Sequence, residues 1–210
     1  MDWRCILTSI ADLLFPPRES ELMLRKMTDT LFAAYVLPRH EKNWEALIPY
    51  DTPVCRALIW ELKYYHSHKA SQLGGHILAE YIRTLLAEEM LPCALLIPIP
   101  MHKKRRRERG YNQTEKLCAV IAAELPEHIE YHPRALARTR YTKRQTTSSR
   151  KNRLEGVAGS MKITDPAHIR GRVCIVIDDV VTTGATLSEA SRALKQAGAK
   201  NVHLLSLAYS

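Results

Sequence analysis

The sequence predicts an α/β fold: a mainly parallel sheet flanked by helices, with a small N-terminal helical extension. Three observations predict it. Short apolar runs at Ala94 to Pro98, Cys174 to Ile177 and Val202 to Ala208 read as buried strands. Stretches of helical periodicity lie between them, and such alternation makes a parallel sheet covered on both sides. Two of the runs lead directly into polar loops, and in such sheets ligands sit at the carboxyl ends of the strands.

Taken in chain order, Trp3 to Leu37 reads as one or two short helices interrupted by Pro16 and Pro17. The second shows Leu24, Met27, Leu31 and Ala34 at helical spacing. Pro38 closes it, and the polar stretch through Lys42 reads as a linker. The expected organisation is thus an extension and linker over 1–42 and one domain over 43–210. Pro53 to Lys63 is a helix opened by proline, and Leu73, Ile77, Leu78, Tyr81, Ile82 and Leu85 form one apolar helical face. The strand Ala94 to Pro98 feeds a loop from Ile99 to Gly110, followed by a helix over Tyr111 to Leu125. Ile129 to Leu136 holds one or two short strands. Thr139 to Lys151, polar and basic, reads as a mobile loop or a weakly anchored helix. Ala158 to Ile163 is a further candidate strand. The Cys174 strand, a helix over Leu187 to Gln196 and the strand Val202 to Ala208 complete the sheet, with Gly198 where a helix C-terminus needs it.

Among the 210 residues Lys and Arg exceed Asp and Glu by nine, which favours anionic partners, phosphorylated metabolites or nucleic acid. The excess is concentrated in HKKRRRERG, His102 to Gly110, and in Arg134 to Arg153. On composition alone such blocks are more often solvated surface than binding sites. The five cysteines are scattered without a C-x-x-C pair, which gives neither a zinc framework nor a disulfide framework and fits a reducing cytosol. The N-terminus lacks the pattern of a signal peptide. The longest apolar stretch, near Ala94 to Met101, is too short to span a bilayer. A cytoplasmic protein without membrane insertion is expected.

Three constellations carry chemistry. In CIVIDDVVTTGAT an apolar strand meets Asp178 and Asp179, then Val180, Val181, Thr182, Thr183, Gly184, Ala185 and Thr186 at a helix start. Loop amides and a helix N-terminus hold a phosphate, the threonine hydroxyls add donors, and Gly184 admits close backbone approach. The two acids suit the vicinal hydroxyls of a sugar. No Walker A loop occurs. The second constellation is IPIPMHKKRRRERGYNQ, in which Arg105 and Arg109 clamp a diphosphate while Asn112 and Gln113 donate to it or orient its ligand. The third, ARTRYTKRQ, offers Arg138, Arg140 and Gln145 as a hood over the ligand. Lys63, in WELKYY, is a further candidate phosphate contact. His66, His68 and His76 read as surface residues rather than metal ligands. Tyr64 and Tyr65 read as partly buried against a neighbouring helix rather than as base-stacking groups.

VIDDVVTTGAT resembles the 5-phosphoribosyl 1-pyrophosphate (PRPP) motif of type I phosphoribosyltransferases. With PIPMHKKRRRERGYNQ, which has Tyr111 where the family signature has Phe, and RTRYTKRQ, the order of motifs resembles the ComF/GntX family of phosphoribosyltransferase-like competence proteins. Two places depart from the family pattern. Glu19, Ser20 and Met23 stand where an N-terminal zinc module would begin its cysteines, so zinc is not expected. Gly156, Ser160 and Met161 stand at the Asn, Ala and Phe places of a later motif. The resemblance implies a type I phosphoribosyltransferase fold that binds PRPP with Mg²⁺, the ion being carried by PRPP rather than by direct protein ligands. It also implies a link to single-stranded DNA taken up during transformation, or to other competence proteins.

Two other functions share this site. A metabolic transferase would move phosphoribose from PRPP to a nucleobase or amine, with Asp178 and Asp179 stabilising positive charge at C1′. It is expected to carry an acceptor pocket after the last strand, where only three residues follow Leu207. A non-catalytic module would sense PRPP. For nucleic acid, only Tyr111 and Tyr141 interleave with the basic runs, so backbone charge is expected to dominate over stacking.

Overall fold

The computed structural model describes residues 16–140 and 157–210. Arg18 to Tyr35 form two short helices, α1 (Glu19–Arg25) and α2 (Asp29–Ala33), separated where Thr28 caps α2 by accepting from the Leu31 amide. Both are docked: Leu24 and Phe32 are fully buried in the main core. Arg18 clamps α1 in place, its Nε and Nη2 each 2.9 Å from the buried Glu61, which also accepts from Ser20 at 2.6 Å.

Arg39–Glu41 is a strand, β1, and not a linker. It pairs antiparallel with β2 (Trp44–Pro49), which in turn pairs parallel with the last strand. Helices α3 (Pro53–Tyr64) and α4 (His68–Glu88) follow, each capped by a side-chain hydroxyl, Thr52 and Ser67 respectively. Then come β3 (Ala94–Pro98), α5 (Lys103–Arg109), α6 (Gln113–Glu124), β4 (Ile129–Tyr131), β5 (Leu136–Arg138), β6 (Met161–Ile163), α7 (Pro166–Ile169), β7 (Val173–Val181), α8 (Ala185–Gln196) and β8 (Asn201–Tyr209). The basic run that read as a loop is therefore helical over Lys103–Arg109. The polar segment beyond Arg140 lies outside the described residues.

The six-stranded sheet has the order β1-β2-β8-β7-β3-β4 and is parallel except at the β1 edge. Its central strands are apolar on both sides because both faces are covered. Leu96, Ile175, Ile177 and Leu207 face the core under α3, α4 and α6, while Leu95, Ile97, Cys174 and Val176 face the core under α8. Gly75 of α4 lets α6 approach closely, since a Cβ there would lie 2.5 Å from that of Val120. A separate antiparallel pair, β5 with β6, packs against the second core through Leu136 and Met161. Met161 is buried, and Ser160 beside it is buried with no partner for its hydroxyl among the described residues. Among the described residues no helix is long and apolar enough to cross a membrane.

Candidate functional site

The carboxyl ends of β3 and β7 lie side by side, with Pro98 opposite Ile177 and the Ile99 amide donating to the Ile177 carbonyl at 2.9 Å. The two ligand-binding loops of the sequence therefore start from one place. A cavity of about 440 Å³ opens between them.

β7 does not stop at the acids but runs through them to Val181. Successive side chains of a strand point to opposite faces, so the two carboxylates meet different neighbours. Asp179 Oδ2 lies 2.9 Å from Lys63 Nζ of α3 and accepts from Gln113 Nε2 of α6 at 2.9 Å. Asp178 accepts the Asp179 amide at 2.9 Å and interacts electrostatically with Arg138 of β5. Burial, reinforced by the adjacent Asp179 charge, pushes Asp178 up from an ordinary 3.8 to about 7, against the pull of Lys63 and Arg138. Burial pushes Asp179 the same way. There Lys63, Gln113 and the Val180 amide more than offset it and hold the carboxyl below its usual range. One acid of the pair is neutralised by a cation, and the other is left with a proton affinity near neutrality.

Arg105 and Arg109, four residues apart on α5, share one face of the helix and both line the cavity. Arg109 donates to Gln113 Oε1 at 2.7 Å, its guanidinium 5.4 Å above the Tyr64 ring, which extends the chain Arg109, Gln113, Asp179, Lys63. The rest of α5 (Lys103, Lys104, Arg106, Arg107 and Glu108) is exposed, with Arg106 paired to Glu115 at 2.6 Å. Gly110, at φ +84, ends the helix. Asn112 also lines the cavity, but its amide is committed: it caps α6 and donates to the Ile99 carbonyl at 3.0 Å, beside Thr114 Oγ1 at 2.9 Å. Its work is to fix α6 to the end of β3 rather than to donate to a ligand.

On the β7 loop, Val180, Thr182 and Thr186 line the cavity. Thr183 turns inward to accept the Ala185 amide at 3.4 Å, while Val181 and Ala185 are buried. Gly184 adopts φ +73, and a Cβ there would meet the Trp44 indole at 2.5 Å. The glycine is thus required by Trp44 packing behind the loop as well as by the loop's own turn. Lys63 lines the cavity, yet it is bonded to Asp179 rather than free for a phosphate. Arg138 lines it too, with burial lowering the basicity of its guanidinium. Arg140 is exposed and outside the cavity wall, and Gln145 and Tyr141 lie outside the described residues.

Several residues were not foreseen. Tyr50 and His102 also form walls. Tyr111 is buried, its hydroxyl donating to the Leu62 carbonyl at 2.5 Å and accepting from the His66 amide at 3.2 Å, so it is unavailable for stacking. Tyr64 and Tyr65, read as partly buried, are 45% and 42% exposed, and Trp60 is 51% exposed with its ring 4.5 Å from that of Tyr64. Their spacing on α3 was visible in the sequence. Which side of that helix is solvated was not.

The phosphoribosyl transferase domain family matches residues 115–210. The Escherichia coli K12 DNA utilization protein YhgH is 29% identical over 164 residues, 77% of this chain and 70% of that protein. Streptococcus pneumoniae competence protein ComFC is 30% identical over 141 residues, covering 64% of this chain and 57% of that one. Haemophilus influenzae competence protein F is 32% identical over 115 residues, 54% and 49% respectively. Among solved structures, a Trypanosoma cruzi hypoxanthine phosphoribosyl transferase aligns over 67% of this chain and 65% of its own, at 13% identity and a TM-score of 0.44.

Proposed function

We propose that this chain, which belongs to the ComF/GntX family of phosphoribosyltransferase-like proteins, binds PRPP in the cavity between β3 and β7 and serves the handling of single-stranded DNA in the cytosol. One observation carries the reading. A single cavity joins two guanidinium groups on a helix face, a hydroxyl-bearing loop at a helix start and two acids. In this reading Arg105 and Arg109 hold the diphosphate, and Thr182 and Thr186 with the loop amides hold the 5′-phosphate. Asp178 and Asp179 accept from the ribose hydroxyls.

Magnesium accompanies PRPP. The acids fit a hard cation, which takes oxygen donors and keeps several waters, and Asp178 is the carboxylate not already paired with Lys63. The ion supplies neutralisation of the diphosphate charge. Lys63 balances Asp179, and Gln113 fixes that carboxylate's orientation.

The nucleic-acid part is supported by the names of the relatives, a DNA utilization protein and two competence proteins, and by the surface beside the cavity. Exposed Tyr64 lies beneath the Arg109 guanidinium of α5 and beside the exposed Trp60 ring, combining stacking faces with charge as single-strand binding requires. This replaces the charge-only surface expected from sequence.

The test of the site is thermal unfolding with PRPP and Mg²⁺. At a hundredfold excess over the dissociation constant the wild type should gain about 2.7 kcal/mol, and the Asp178→Asn/Asp179→Asn variant should gain nothing. An unchanged gain in the variant overturns the site. Labelled oligonucleotide titrated at two salt concentrations tests the surface: Trp60→Ala/Tyr64→Ala should lose about 1–3 kcal/mol per stacked base while the PRPP response stays. Wild type that binds no oligonucleotide at low salt refutes the DNA role without touching the PRPP site.

A further inference from the structure

Away from the cavity, at the free edge of the sheet, three side chains converge that the function above does not use. Glu130 of β4 directs Oε1 to within 2.7 Å of His168 Nε2 in α7 and 3.4 Å of His132 Nε2 just after β4. The imidazole centroids are 4.1 Å apart. The other oxygen, Oε2, accepts from Arg172 Nη2 at 2.7 Å. We propose that Glu130, His132 and His168 form a binding site for a divalent transition metal of the zinc class.

The donor set supports that class. Two neutral imidazoles and one carboxylate leave a fourth position open, as zinc accepts with nitrogen and oxygen ligands, whereas magnesium and calcium prefer oxygen alone. With bonds of about 2.0–2.2 Å, tetrahedral ligand atoms lie roughly 3.3 Å apart. The two Oε1 to Nε2 spacings, 2.7 and 3.4 Å, bracket that value, and all three ligand atoms lie within 4.8 Å of one another. Arg172 acts from outside the ligand set. By occupying Oε2 it turns Oε1 toward the imidazoles, the orienting role that outer partners of metal ligands commonly play. Side-chain exposures of 27% for His132, 39% for His168 and 40% for Glu130 leave the site open to an ion from solution. A second cluster, His76, Glu80 and Glu124, is the weaker candidate, because Glu80 is exposed and paired with Arg83.

The position gives the metal something to do. His132 stands shortly before β5 and His168 shortly after β6, so the two histidines flank the β5–β6 pair, whose Arg138 lines the cavity. A bound ion would tie the residues entering β5 and those leaving β6 to the edge strand. This proposal does not depend on PRPP binding.

The experiment uses the untagged full chain, stripped with chelator and then titrated with Zn²⁺ by calorimetry. Wild type should take up about one equivalent and unfold at a higher temperature with the ion bound. The His132→Ala/His168→Ala variant should lose both responses, and Cys93→Ser should keep them. The absorption of the Co²⁺-loaded wild type reports the ligands without any variant: the bands of a nitrogen and oxygen site support the proposal, and an added thiolate band assigns the ion to cysteine and overturns it. No uptake by wild type, or equal uptake by the double-histidine variant, overturns it as well.

Discussion

Asp178→Asn should make the ligand-free protein more stable, not less, and the gain should grow with pH. In the folded state Asp178 is raised from an ordinary 3.8 to about 7 by burial and by the charge of Asp179. The folded form therefore keeps a proton that the unfolded form has already lost between those values. Stability falls wherever the folded state binds more protons, so this carboxyl costs nothing near pH 4, progressively more up to about pH 7, and a constant amount above. At about 1.4 kcal/mol per decade of acidity the full displacement corresponds to about 4 kcal/mol. An asparagine keeps the oxygen that accepts the Asp179 amide, but its new NH₂ lacks an ideal partner and returns about 1–3 kcal/mol. The net gain at pH 8 is about 2 kcal/mol, or roughly 4–8 °C for a chain of this size. At pH 5 it shrinks toward zero or below. Thermal unfolding by circular dichroism at pH 5 and pH 8, without ligand, reads this directly. If the variant melts lower than wild type by the same margin at both values, Asp178 is a stabilising structural acid and the electrostatic account of the cavity is wrong.

Arg18→Ala strands the fully buried Glu61 carboxylate and should cost about 3 kcal/mol at pH 7 by urea unfolding. Burial raises Glu61, but the bonds from Arg18 and Ser20 overcome it and hold the group below its ordinary 4.5. The stabilisation is thus present above that value and lost as pH falls through the depressed one, and the variant's urea midpoint should lose this acid dependence. Tyr111→Phe removes the hydroxyl that joins Leu62 to His66 and should cost about 1 kcal/mol, with the PRPP-induced shift in melting temperature unchanged. Gly184→Ala forces a side chain into the left-handed region and against Trp44, for a loss of about 1–3 kcal/mol. Adding Trp44→Ala should recover part of that loss in a double-mutant cycle, and strict additivity would show that the contact carries no energy.

The elements legible in the sequence are those whose burial is written in hydropathy. β3, β7, α8 and β8 were each announced by an apolar run or periodicity, and the acid pair at the end of β7 by its abruptness. What escaped detection has a common cause, a local pattern decided by distant partners. β1 reads Arg-His-Glu and is exposed throughout, so nothing in its composition separates an edge strand from a linker. α5 has no buried residue, hence no apolar stripe to betray a helix within the basic run. Two carboxylates argued that β7 had ended, because burial of an acid is intelligible only once Lys63 and Gln113 are known to meet it. Tyr111 was a candidate base-stacking group until Leu62 and His66 were seen to enclose it. In each case the missing information is tertiary.

The asymmetry of the acid pair follows from strand geometry. Had β7 ended at Ile177, Asp178 and Asp179 would occupy a turn and share one environment. Because the strand continues, Asp179 bonds Lys63 and Gln113 directly, while Asp178 feels Lys63 and Arg138 only through their fields. Lys63 pairs with Asp179 inside the wall, while Arg105, Arg109 and Arg138 line the same cavity beside Asp178. Three guanidinium groups on one cavity wall favour a polyanionic ligand. Once a hydroxyl donor or a cation arrives beside Asp178, the ionised form becomes the favoured one, because hydrogen bonds and positive charge stabilise it. In the proposed function phosphate would therefore be drawn first, and the ligand itself would favour the charged form of Asp178.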